Sequence, residues 1–140
     1  MTYLSGTADL SDDEFVGRLT SFTLPIDQFH HYDHVRLAWI YLRDEEIDAA
    51  TERMVRTLQS LGLHHRGHLN NYHDTVTRAF MRLVSAHIRM TPAIATFDEF
   101  ASAHPMLFGK DALHAFYSPA LLDSQPARTG WIDPDIKPLP

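Results

Sequence analysis

Ten histidines stand beside only two lysines in this chain of 140 residues, and there is no cysteine. Any metal it holds must therefore be bound through imidazole or oxygen, and thiolate nucleophiles are excluded. His31 and His34 lie three apart, which puts both imidazoles on one face of a helix together with Ala38 and Leu42. His73 begins a second periodic segment and aligns with Val76 and Phe80. Two imidazoles from one helix and one from a neighbour packed ~8–10 Å away can meet at a point. Such a set leaves coordination positions open for water, dioxygen or a chelating substrate.

The expected centre is thus one transition-metal ion held by His31, His34 and His73. Copper, iron, zinc and nickel all suit an all-nitrogen set, and ligand type does not separate them. Asp33 and Asp74 each adjoin a proposed ligand and are the candidate general bases or acceptors for a ring N–H. Tyr72 is the candidate pocket-lining hydroxyl. His30, His64, His65 and His68 are the alternative ligands, His30 because it lies four residues before His34. The zinc-protease signature of two His four apart with Glu after the first is not matched, because His31 follows His30. Arg36 and Arg78 read as exposed helix arginines paired with neighbouring acids. His87 is placed too far along its helix to join the site, and no spacing recommends His104 or His114.

The elements that must position these residues read as helices. Ser11 with Glu14 forms a capping box for a first helix to about Phe22. A second runs from Phe29 to Arg43. A third is capped by Asp44 and carries the stripe Ala50, Met54, Leu58 and Leu61 up to Gly62. A fourth runs from Tyr72 to about Met90 behind an Asn71 cap. Thr96 with Glu99 opens a short helix through about Ala103, and 111–117 and Ser118 to Leu122 read as further single turns, the latter with Pro119 at its first position. From Ser124 onward four prolines and Gly130 argue against regular structure, while Trp131 and Ile132 imply that this tail packs back on the body. The expected fold is all-α: one domain over residues 1–140, a bundle of four main helices, short C-terminal helical turns and an extended Pro-rich tail at 124–140. Short connections place the starts of helices two and four at one end, which gathers up to seven histidines there.

Phe29 to Leu42, Tyr72 to Thr77 and the tail from Tyr117-Ser118-Pro119 to Pro140 together resemble a group of small bacterial His-rich helical proteins to which no activity is attached. The resemblance spans about residues 25–140. It implies one intact domain and nothing about a reaction.

A formal net charge of -6 argues against dense phosphate contacts with nucleic acid and against a polybasic membrane patch. The longest apolar run, Leu37 to Leu42, is far shorter than the ~20 residues of a spanning helix. The first ten residues lack a secretory pattern, so a cytoplasmic location is expected. The function expected from these readings is a small-molecule metalloenzyme, with redox chemistry favoured over zinc-type hydrolysis or elimination. The alternative is a non-catalytic helical module, binding a ligand or forming a homodimer, whose histidines make a pH-sensitive cluster.

Overall fold

The computed structural model describes residues 7–65, 72–109 and 111–140. The described residues form an all-α fold: α1 (Asp12–Thr20), α2 (His31–Asp44), α3 (Ile47–His64), α4 (Asp74–Met90), α5 (Phe97–Ala103), α6 (Pro119–Leu122) and α7 (Gln125–Thr129). Short 3-10 turns at Ile26–Gln28 and Pro105–Phe108 join them. No helix is long and apolar enough to cross a membrane.

The central element is α2. Its residues Val35, Leu37, Ala38, Trp39, Ile40 and Tyr41 are all buried, so it is apolar around its circumference and other elements must surround it. α3 and α4 pack on α2 and on each other, and the Pro105–Phe108 turn also lies against α2. Trp39 meets Phe97 and Phe100 of α5, and the fully buried Tyr41 bonds Thr57 of α3 at 2.9 Å. α1 adds Phe15 and Leu19 to the same core.

Several ends are set locally. The Ser11–Glu14 capping box is formed in both directions, Thr96 caps α5, and Pro119 opens α6 behind the Ser118 cap. After α1 the chain turns through Phe22, whose φ of 62° is left-handed, and its ring stacks on His64 at 4.2 Å. Other ends differ from the expected ones. Glu46, two residues after Asp44, caps α3 by accepting from the N–H groups of Asp48 and Ala49. Gly62 does not end that helix, which continues to His64. The cap of α4 is His73 itself, so the helix begins at Asp74; Asn71 and His68 lie outside the described residues.

The tail is packed, as expected, but it is not wholly extended, because α7 forms from Gln125 behind a Ser124 cap with proline in its first turn. It runs along α4. Thr75 donates to the Gly130 carbonyl at 2.6 Å and accepts from the Ile132 N–H, while the Tyr117 hydroxyl donates to the Ile132 carbonyl. Trp131 sits between Arg82 and Tyr117.

Candidate functional site

α2 and α4 bring the chemistry-bearing side chains together. A cavity of about 260 Å3 lies between the segment before α2, the second half of α3 and the start of α4, and is lined by Ile26, Phe29, His34, Leu58, Leu61, Tyr72, His73 and Val76. An inner cavity of about 100 Å3 shares His34, Leu58, Val76 and Thr77 with it and extends to His31, Ala38 and Phe80. His34 lines both cavities, His73 only the first and His31 only the second, so no one cavity is lined by all three.

Their ring nitrogens are committed differently. The Nδ1 of His73 accepts from the Val76 N–H at 3.2 Å, which is the helix cap, and its Nε2 donates to the Leu122 carbonyl at 2.6 Å. Both nitrogens are in use. The Nε2 of His31 donates to the Leu107 carbonyl at 2.9 Å, and the ring edge meets Phe80. These two imidazoles pin the C-terminal turns to the starts of α4 and α2. His34 alone has no hydrogen-bond partner at either ring nitrogen among the described residues. It stacks on Phe29 at 4.1 Å, lines both cavities, and is pushed down to about 4, first by burial and then by the positive charge His31 acquires on protonation.

The carboxylates serve structure. Asp33 is fully buried; it accepts from the His30 N–H at 2.9 Å and from the Thr7 hydroxyl. Arg36, far from exposed, donates to the carbonyls of Thr7 and Leu10 and to Asp12, and lies over Phe15. Asp33 and Arg36 together clasp residues 7–12 onto α2. At the other wall Asp74 accepts from the Tyr72 hydroxyl at 2.7 Å and from Arg78, which also reaches Glu52. Burial and the Asp74 carboxylate raise the Tyr72 phenol above its ordinary range, so it stays a neutral donor.

Among the described residues no three His, Asp or Glu side chains are grouped so as to hold one ion. Both His73 nitrogens are also committed, and a ligand needs a free lone pair. A larger cleft of about 460 Å3, lined by Glu52, Asp74, Arg78, Arg82 and Trp131, lies by the tail. Its Arg78 is already neutralised by Glu52 and Asp74.

His87 and His104, which no spacing singled out, are both buried and face each other edge to face at 4.9 Å. The 16 residues between them span the end of α4 and all of α5, and only the packed fold pairs them. His64 and His65 sit at the end of α3, and His114 pairs with the exposed Asp111 at 3.2 Å. No protein-family model, curated protein or solved structure matches the chain.

Proposed function

We propose that the cavity at His34 binds a small, largely apolar molecule carrying one hydroxyl or similar donor, and that the protein works as a helical ligand-binding module. The observation that carries this reading is His34: a neutral imidazole with unpartnered nitrogens in a wall it shares with the apolar side chains of Phe29, Leu58, Leu61 and Val76, whereas the nearby Tyr72 and His73 are already hydrogen-bonded within the protein. Such cavities bind by apolar burial and fix orientation with one or two polar groups. A dry cavity of ~150 Å3 accommodates benzene. The volume here, about 260 Å3, fits a single ring with short substituents.

Magnitude decides between binding and base catalysis. An efficient general base has a pKa near the working pH. His34, held near 4, remains neutral at pH 7 but is a weak base, suited to accepting a hydrogen bond rather than removing a proton. Val76 lines both cavities, so Val76→Phe fills the space without touching His34. Para-cresol as probe is expected to raise the melting temperature of the wild-type protein in a saturable way. It should leave the midpoints of Val76→Phe and His34→Leu unmoved. Equal shifts in all three proteins would place the binding elsewhere and sink the proposal.

A second reading is favoured by the gathering of His31, His34 and His73 around the two cavities: a metalloenzyme with a copper, iron, zinc or nickel ion on those three ligands and redox chemistry at its open positions. It requires His73 to release Val76 and Leu122. Metal analysis of protein purified without an affinity tag distinguishes the readings, with His34→Ala as the diagnostic variant because His34 has no hydrogen bond to lose. One equivalent of metal in the wild type that disappears in this variant supports the metal centre. Metal-free protein that binds para-cresol supports the module.

A further inference from the structure

The pair His87 and His104 meets a third soft donor, Met106. The Nε2 of His87 lies 3.3 Å from the Met106 sulfur. Hydrogen-bond partners fix the tautomers of both rings. The Nδ1 of His87 faces the Leu83 carbonyl at 2.8 Å, and a carbonyl can only accept, so Nδ1 carries the proton and the neutral ring has its lone pair on Nε2. Thr91 spends its hydroxyl proton on the His87 carbonyl. It can therefore only accept from the Nε2 of His104 at 2.8 Å, which leaves the lone pair of that ring on Nδ1.

The neutral His87 thus points a nitrogen lone pair at a thioether, which is also a lone-pair donor. Two acceptors in contact have nothing to share unless a cation lies between them. With bonds of ~2.0 Å to nitrogen and ~2.3 Å to sulfur, a separation of 3.3 Å subtends ~100° at an ion, close to the tetrahedral angle. His87 is 6% exposed and Met106 67%, so the nitrogen is sheltered and the sulfur is reached from solvent.

We propose that His87 Nε2 and Met106 Sδ bind a monovalent copper ion, with the His104 imidazole beside them as a further nitrogen donor. Thioether sulfur selects the soft cuprous ion over zinc, nickel or ferrous iron, which favour harder donors. Binding replaces an unproductive contact between two acceptors with two bonds to one ion. The site is distinct from the His34 cavity, and no residue is common to both.

The test is anaerobic titration of the full chain with cuprous ion against a chromogenic chelator, with silver(I) as the redox-inert probe for nuclear magnetic resonance. The wild type is expected to bind copper(I) at this site, and Met106→Leu to bind it at least tenfold more weakly. That substitution changes an exposed side chain, so an unchanged circular dichroism spectrum separates the loss from misfolding. His34→Leu should leave copper(I) affinity intact, whereas a three-histidine centre would lose it. Ring 15N spectra of the free protein at neutral pH should show His87 protonated on Nδ1 alone, with its Nε2 signal moving as silver is added. Equal copper(I) affinity in the wild type and Met106→Leu would overturn the proposal. So would a proton on His87 Nε2 at neutral pH, because the contact with sulfur would then be an ordinary hydrogen bond.

Discussion

Replacing Arg36 with alanine is expected to cost about 3 kcal/mol of stability, the largest loss from any single side chain outside the apolar core. The guanidinium donates to two backbone carbonyls, Thr7 at 3.0 Å and Leu10 at 2.7 Å, and to the Asp12 carboxylate at 2.9 Å, while its plane covers Phe15. It is buried, so alanine strands its partners in a site that water does not fully reach. Much of the loss comes from those stranded acceptors rather than from the ion pair, whose Asp12 partner is half exposed. Asp12→Asn should therefore cost less than 1 kcal/mol. For a chain of this length the Arg36→Ala loss corresponds to a fall in melting temperature of roughly 10 °C. Chemical denaturation of the three proteins checks the ordering, and equal losses in the two variants would show that the pair, not the carbonyl clasp, holds residues 7–12 to α2.

The second large effect is on pH dependence. His34 is neutral in the folded protein down to about pH 4, while an unfolded histidine protonates near ~6.5. Between these values the unfolded chain binds more protons, so stability falls as pH drops. The contribution is fully present above ~6.5, declines through the interval and is fully lost below the folded value. A displacement of this size is worth on the order of 2–3 kcal/mol. His34→Leu cannot take up that proton and keeps an apolar contact with Phe29, so it should equal or exceed wild-type stability at pH 7.5 and exceed it by the larger margin at pH 4.5. Urea unfolding of both proteins at the two pH values isolates the term, since all other titrating groups are common to them. A stability difference that does not change with pH would show that His34 protonates normally in the fold.

Local signals in the sequence carried the fold as far as their chemistry was unique. Ser11 with Glu14, Thr96 with Glu99, and Pro119 after Ser118 each admit one helix start, and each start is found there. Asp44, Glu45 and Glu46 are three successive acids, and backbone geometry rather than residue type chose the last. Imidazole is an uncommon cap, so the sequence alone points to ligation for His73, while in the fold its acceptor nitrogen takes the Val76 N–H. Pro126 reads as a breaker in the sequence, but a proline in the first turn gives up no intrahelical bond, and α7 begins around it. Helix order brings His31, His34 and His73 to two cavities that share His34. What distinguishes them does not follow from helix order, because it depends on the carbonyls of Leu107 and Leu122, which come from distant segments. The same holds for Arg36, buried by the return of residues 7–12, and for His87 and His104, joined only where α5 folds back.

The claim that His34 is the polar anchor of a ligand cavity is tested most directly at its own ring. Uniformly 15N-labelled protein titrated with para-cresol at pH 7.5 should show one imidazole acceptor-nitrogen signal, that of His34, moving along a saturable curve toward the hydrogen-bonded range. The signals of His73 and His31, held by Val76, Leu122 and Leu107, should stay in place. A His34 nitrogen that is indifferent to the probe while other histidine signals shift would contradict the assignment of this cavity as the binding site.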